Sequence, residues 1–198
     1  MARIPLAQQN TGLDSLFNTT GPYYLALFTT DPGQLGTSGE VSGGSYQRQS
    51  ITFVSSANSF SASSTSNTIG TGSKTFTVSS GLVYFTGQPV VVYDSTLANT
   101  MTGTVTSYSS TTLVINVTAT TGTGTLTSWS VVGGKANTNA ITFTSVPALG
   151  SGAPYFGIFS ALTSGTYYGG GTTTGASGAI SAGSTISVAV GAISFTLA

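Results

Sequence analysis

The amino-acid sequence predicts an all-β protein, a β-sandwich or jelly-roll-like outer domain carrying a small inserted β-barrel or sandwich. Three observations lead there. Val, Ile, Thr, Tyr and Phe recur in short period-2 runs, and Gly, Ser, Asn or Pro breaks those runs every ten residues or so. That spacing belongs to sandwiches and barrels. Helix signals are confined to a single stretch near the start. Nine Tyr, ten Phe and one Trp in 198 residues, with 39% of the chain apolar, supply a core that a disordered Ser/Thr-rich chain lacks.

Along the chain, residues 1–10 read as a polar, extended arm or a frayed end. The helical turn follows at 11–18, where Thr11 caps, Asp14 lies three residues later, and Leu13, Leu16 and Phe17 share a face. Strands are predicted at 23–29, 50–54, 74–78, 89–93, 103–108, 112–118, 128–132, 140–144, 153–160, 166–169 and 185–197. The last contains Gly191, so it reads as two strands or as one bent at a bulge. Between the first two strands lies a loop over 31–45, opened by Asp31-Pro32-Gly33. Pro fixes φ early in that turn and Gly accepts positive φ later. A loop of this length in a compact domain is a functional or interface element.

One repetition of wording suggests the organisation. Ser50-Ile51-Thr52-Phe53 precedes Ser66-Asn67-Thr68, and Ala136-Asn137-Thr138-Asn139 precedes Ala140-Ile141-Thr142-Phe143. The middle therefore reads as an insertion: a discontinuous outer domain over 1–64 and 136–198, and an inserted β module over 65–135. Trp129, Tyr84, Phe76 and Val105 would fill the core of the insert.

Charge excludes more than it suggests. The chain has four Lys+Arg, four Asp+Glu, no His and no Cys, and only 4% of its residues are charged, against about 25% in ordinary domains. The usual zinc ligands, the commonest general base and every thiol nucleophile are missing. Four basic residues are too few to neutralise a phosphate backbone, so nucleic acid is not an expected partner. No apolar run follows Arg3 as a signal-peptide core, and no stretch approaches the ~18 residues of a spanning helix. The expectation is a product assembled in the host cytoplasm, with no membrane partner. A net charge near zero favours association. Much of the surface is thus expected to be covered by other subunits in a homo-oligomer, with a trimer the form expected.

The outer halves resemble a family of small tailed-bacteriophage virion proteins, labelled tail fibre proteins or, in some phages, capsid decoration or cement proteins. The resemblance is carried by Tyr24-Leu25-Ala26-Leu27-Phe28-Thr29-Thr30-Asp31-Pro32-Gly33, by Gly39-Glu40-Val41-Ser42-Gly43-Gly44-Ser45-Tyr46-Gln47-Arg48-Gln49, and by Tyr155-Phe156-Gly157-Ile158-Phe159. The insert is similar to a module of phage tail proteins through Thr68-Ile69-Gly70-Thr71-Gly72-Ser73-Lys74-Thr75-Phe76-Thr77, Gly87-Gln88-Pro89-Val90, Met101 to Tyr108, and Trp129. These resemblances imply a virion structural protein and not an enzyme. The outer family usually begins with a longer, charged amphipathic helix, which residues 1–10 lack.

Candidate chemistry is thin. Asp14, Asp31, Glu40 and Asp94 are the only carboxylate side chains, the three aspartates sit where turns and caps use one, and no Asp-x-Asp spacing occurs, so no catalytic residue, cofactor or metal site is expected. Glu40 and Arg48 flank a Gly-rich segment and are expected to pair across it as a structural clamp or an interface contact. Asp31, at the head of the same loop, joins them as a candidate. Thr102, Thr104 and Thr106 read as the solvent face of a strand. Of the aromatics Tyr23, Tyr24, Phe28, Tyr155, Phe156, Phe159, Tyr167 and Tyr168, most are expected in the core. The adjacent pairs are each expected to turn one ring outward.

The function read from these features is a capsid decoration (cement) protein on the outer shell, bound to the major capsid protein. No coiled-coil heptad or shaft repeat suggests a stalk. The alternative is a tail or tail-fibre component with a receptor-binding role toward a host-surface glycan.

Overall fold

A computed structural model describes residues 12–17, 21–173 and 176–195. Its strands run in chain order as β1 (Tyr23–Phe28), β2 (Gln49–Ile51), β3 (Phe60–Ser63), β4 (Asn67–Thr68), β5 (Gly72–Thr77), β6 (Pro89–Tyr93), β7 (Thr100–Ser109), β8 (Thr112–Thr121), β9 (Thr125–Leu126), β10 (Trp129–Gly133), β11 (Lys135–Ala136), β12 (Ile141–Phe143), β13 (Tyr155–Phe159), β14 (Tyr167–Thr172), β15 (Ile186–Val188) and β16 (Ser194–Phe195). The fold is all-β, with an α-helical turn at 12–16 and a 3-10 turn at Ser56–Ser59. Thr11 and the arm at 1–10 lie outside the described residues. In the α-helical turn Leu13 and Phe17 are buried while Leu16 is 46% exposed, so only two of the three apolar side chains face the core.

The chain divides into two compact units. One comprises Phe53–Thr138 with the described parts of Met1–Thr19 and Val190–Ala198; the other comprises Thr20–Thr52 and Asn139–Ala189. This differs from the division expected at 64/65 and 135/136, and the reason is strand pairing. β3, assigned from the sequence to the outer domain, pairs with β10 from Trp129↔Ser63 to Val132↔Phe60, while β11 pairs with β16. The predicted final strand is two, interrupted by a turn at Gly191. β15 pairs with β12 and β16 with β11, so its halves belong to different units.

In the larger unit, a six-stranded antiparallel sheet runs β3-β10-β6-β7-β8-β5. Its long hairpin shows why these residues make strands. Met101, Gly103 and Val105 are buried while Thr102, Thr104 and Thr106 are exposed, the alternation that a half-buried pleat imposes. The buried face holds Phe76, Tyr84, Val105 and Trp129 in one cluster, with Val90, Met101 and Ile115. Phe76 and Trp129 meet edge to face with centroids 6.1 Å apart, and the indole N–H donates to the carbonyls of Thr65 and Leu126, both at 3.1 Å. Phe17 packs on Phe53 and on Phe195, at 4.9 and 4.6 Å. The buried Asn137 side chain accepts the Ile193 N–H at 2.8 Å, which ties the C-terminal segment to this unit.

The smaller unit has a four-stranded sheet, β14-β13-β1-β2, and the separate ribbon β12-β15. Leu25, Ala26, Leu27 and Phe28 are all buried, as are Phe156, Ile158 and Phe159 on β13. Both faces of this central pair are covered, so its strands read as unbroken apolar runs. The Asn139 side chain closes the two crossings into the unit: it accepts from the Thr52 N–H at 2.9 Å and donates to the Ser50 carbonyl at 3.0 Å.

Candidate functional site

Two clefts lie in the smaller unit, both built around the loop that the sequence marks at 31–45. The first opens over Arg48. Glu40 is held by a bridge to Phe28 on β1, with the Val41 N–H donating to the Leu27 carbonyl at 2.9 Å. Arg48 leads directly into β2, which pairs with the other end of β1. The ladder gap between them is closed by a side chain, since the Leu27 N–H donates to the Tyr46 hydroxyl at 2.9 Å. Tyr46 stacks on Phe143 at 5.8 Å, and burial, beyond any effect of the nearby Glu40 carboxylate, drives its phenol pKa well up.

The Arg48 guanidinium is bidentate to Glu40, with Nε to Oε1 at 2.8 Å and Nη2 to Oε2 at 2.7 Å. Nη1 donates to the carbonyls of Ala161 and Ser164 at 3.0 and 2.6 Å. The group also lies 3.6 Å from the centre of the Phe159 ring. The Arg48 side chain is 8% exposed and that of Glu40 29%. Ser164 takes the left-handed conformation, φ 56°, and thereby turns its carbonyl to the cation. The pair thus fastens the Gly-rich segment to β13 and to the 161–164 turn. The cleft above it measures about 640 Å³ and is also lined by Ser42, Gln47, Leu162 and Thr163.

Asp31 does not join this pair. Its Oδ1 accepts the Gly33 N–H at 2.8 Å, the Asx turn that Asp-Pro-Gly favours. It lines the second cleft, about 410 Å³, with Gln34, Tyr155, Tyr167, Tyr168 and the glycines 169–171 of β14. The Tyr167 ring packs on Phe159 at 5.2 Å and lies so close to Gly36 that a Cβ there would meet it at 2.5 Å. Burial, then the charge of Asp31, raises the Tyr167 pKa.

The adjacent tyrosines depart from expectation in one pair. Tyr23 is buried and Tyr24 half-buried, but Tyr167 and Tyr168 are both half-buried. A bulge explains this. Phe159 pairs with Tyr167 and Ile158 with Gly169, leaving Tyr168 as the extra residue, so the pair does not follow the regular alternation of one inward and one outward side chain. Tyr168 meets the Tyr23 ring edge to face at 5.4 Å.

A second ion pair, which the sequence reading missed, lies in the larger unit. Lys135, 2% exposed, donates to Asp14 of the helical turn. The signal was there only by elimination, since a chain with eight charged side chains seldom leaves one unpartnered in a core. Asp94 accepts from the Thr96 hydroxyl and the Asn99 amide at 2.7 and 2.8 Å, bonds that lower its pKa. The carboxylates are therefore dispersed, and among the described residues no three of Asp, Glu, His or Cys converge on a point.

The sequence matches the family described as podophage GP4 fiber I protein gp80 over residues 7–127. The match runs without a break through parts of both units. No curated protein and no solved structure matches the chain.

Proposed function

Because the chain belongs to the podophage GP4 fiber I protein family, and is thus a phage virion structural protein, we propose that it is a component of the tail fibre and works as a homo-oligomer. The observation that supports assembly is where the charges go. Of eight charged side chains, four are consumed internally, in Arg48–Glu40 and Lys135–Asp14. Among the described residues only Asp31, Lys74 and Asp94 remain to hydrate the surface. The outer face of β7 and β8 instead presents Thr102, Thr104, Thr106, Asn116, Thr118 and Thr120. Such a neutral, hydroxyl-bearing sheet face is poor at keeping copies apart and loses little solvation when another subunit covers it. Closed rotational symmetry, with a trimer as the form we favour, would cover that face without open-ended growth.

Membership of a fibre protein family supports a fibre location ahead of the capsid decoration role that the lack of shaft repeats suggested. Immunogold labelling of particles, with copy counting on gels of purified virions, separates the two. Label on fibres with a few to tens of copies per particle is the expected result; label over the shell with hundreds of copies makes this a cement protein. Sedimentation of the purified protein tests assembly, and a monomer both at micromolar concentration and in the particle refutes it.

A further inference from the structure

We propose that the cleft between the 31–34 turn and the edge strand β14 binds a neutral sugar, one or two pyranose units at the end of a glycan. The proposal goes beyond the fibre reading and does not rest on it. It joins three features of the cleft: two half-buried tyrosine rings, a strand edge stripped of side chains, and a rim with one anion and no cation.

Two half-buried rings, Tyr155 and Tyr167, line the cleft. Both pack on the Phe28 and Phe159 cluster, with Tyr167 meeting the Phe159 ring at 5.2 Å. Rigid, half-exposed tyrosines offer an apolar face and a hydroxyl at little entropic cost. A pyranose has the complementary form, one C–H face and a rim of hydroxyls.

Next to the rings, Gly169, Gly170 and Gly171 expose the backbone of β14, which pairs with β13 on one side and ends the sheet on the other. Packing accounts for part of this run, since a Cβ on Gly170 would lie 2.1 Å from the Phe156 carbonyl oxygen. Gly169, whose added Cβ would meet nothing within 4 Å, is required by its backbone instead, since a φ of +144° strains any other residue. A bare, kinked strand edge is where a ligand approaches the main chain closely. It offers donors and acceptors together, as a polyol requires.

The rim sets the charge of the ligand. Asp31 is the one charged residue lining the cleft, which opposes anions such as phosphate or acidic sugars. Its Oδ1 accepts the Gly33 N–H, which leaves Oδ2 to accept a ligand hydroxyl, and the exposed Gln34 lines the same cleft. The volume of about 410 Å³ falls in the range of small-ligand sites. The cleft over Arg48 is the poorer candidate, because that guanidinium is already committed to Glu40 and two carbonyls. An added peptide strand is disfavoured too, since the bulge breaks the spacing of the edge that it would need.

The test uses the full chain labelled with ¹⁵N. Glucose, galactose, rhamnose and N-acetylglucosamine, with disaccharides of each, are titrated while backbone amide shifts are followed; N-acetylneuraminic acid and a Val-Thr-Val-Thr-Val peptide serve as comparators. At least one neutral sugar is expected to saturate with a Kd of about a millimolar, moving Gly33 and the glycines 169–171. Tyr155→Ala and Gln34→Ala are each expected to weaken it about five- to tenfold. Gln34 is exposed and makes no hydrogen bond that the fold needs, so its variant isolates binding from folding. The proposal is overturned by the absence of saturation with every neutral sugar, by Gln34→Ala binding like wild type, or by acid or peptide occupying the site in place of the sugars.

Discussion

The two units solve the same problem, a β core in a chain almost without charge, by different means. The larger unit uses alternation: β7 and β8 bury every second side chain and leave Thr outside, and aromatic and aliphatic residues fill the space beneath the sheet. The smaller unit cannot rely on alternation, because β1 and β13 are covered on both faces. It fastens a loop across its sheet instead, with the buried Arg48, the Glu40 carboxylate and the Tyr46 hydroxyl completing the backbone ladder. One core is held by area, which degrades gradually. The other depends on a few directional contacts, which fail one at a time.

The largest expected effect lies in the first kind of core. Phe76→Ala removes a fully buried ring and its contact with Trp129, at a cost of about 3–5 kcal/mol. Amide exchange is expected to show lost protection across β5 to β8 while β1 and β13 stay protected. Equal loss in both units would merge what the comparison separates.

Arg48→Ala comes next. It leaves the carbonyls of Ala161 and Ser164 and one carboxylate without their partner, at about 3 kcal/mol. This is the low end for a buried pair, because Glu40 can still reach water. Arg48→Lys is not expected to rescue it, since an ammonium cannot match the bidentate geometry and reach both carbonyls. Chemical denaturation of the three proteins reads this directly, and a lysine variant as stable as wild type shows that charge alone suffices.

In the larger unit, Asp14→Ala strands the buried Lys135 ammonium at about 3 kcal/mol. Lys135→Met, which replaces the charge with an apolar side chain of similar length, is expected to stay within about 1 kcal/mol of wild type. The order of these two melting temperatures is the test, and Lys135→Met melting below Asp14→Ala contradicts it.

The smallest effect is a pH dependence. Burial raises the phenol pKa of Tyr46 in one unit and of Tyr84 in the other above the ordinary 10.0. The folded state then holds these protons more tightly than the unfolded state, so stability is fully present below about pH 10 and falls as pH rises past it. Tyr46→Phe and Tyr84→Phe each lose about 1 kcal/mol at neutral pH with their hydroxyl bonds. That deficit is expected to shrink above pH 10. A gap between variant and wild type that holds constant across that range argues against buried neutral phenols.

The residues themselves explain what could be read in advance. The strands of the larger unit were visible because alternation writes a half-buried face into sequence, and β1 and β13 because unbroken apolar runs stand out. Glu40 and Arg48 were legible because rare charges flank one loop. β3 was not, because its polarity is inverted: Ser61 and Ser63 are buried while Phe60 is 43% exposed. The buried hydroxyls are satisfied locally, Ser61 by the Ser79 N–H at 2.9 Å and the Ala62 carbonyl at 2.7 Å. A serine-rich stretch in which the pattern predicts no strand is therefore a strand, and the unit boundary differs with it. Lys135 and Asp14 are 121 residues apart, and no local pattern links them. The bulge at Tyr168, beside the second cleft, is a matter of register that only the paired strand reveals.

The separation of the two cores is tested most directly by removing one. Thr52 and Asn139 already meet through a hydrogen bond of 2.9 Å, so residues 53–138 can be replaced by a short Gly-Ser link and the remaining chain followed by circular dichroism and amide exchange. The expected result is a cooperatively melting β protein with β1, β13 and the Arg48–Glu40 pair protected. A chain that neither melts cooperatively nor protects β1 would contradict it, and would mean that the smaller unit has no core of its own.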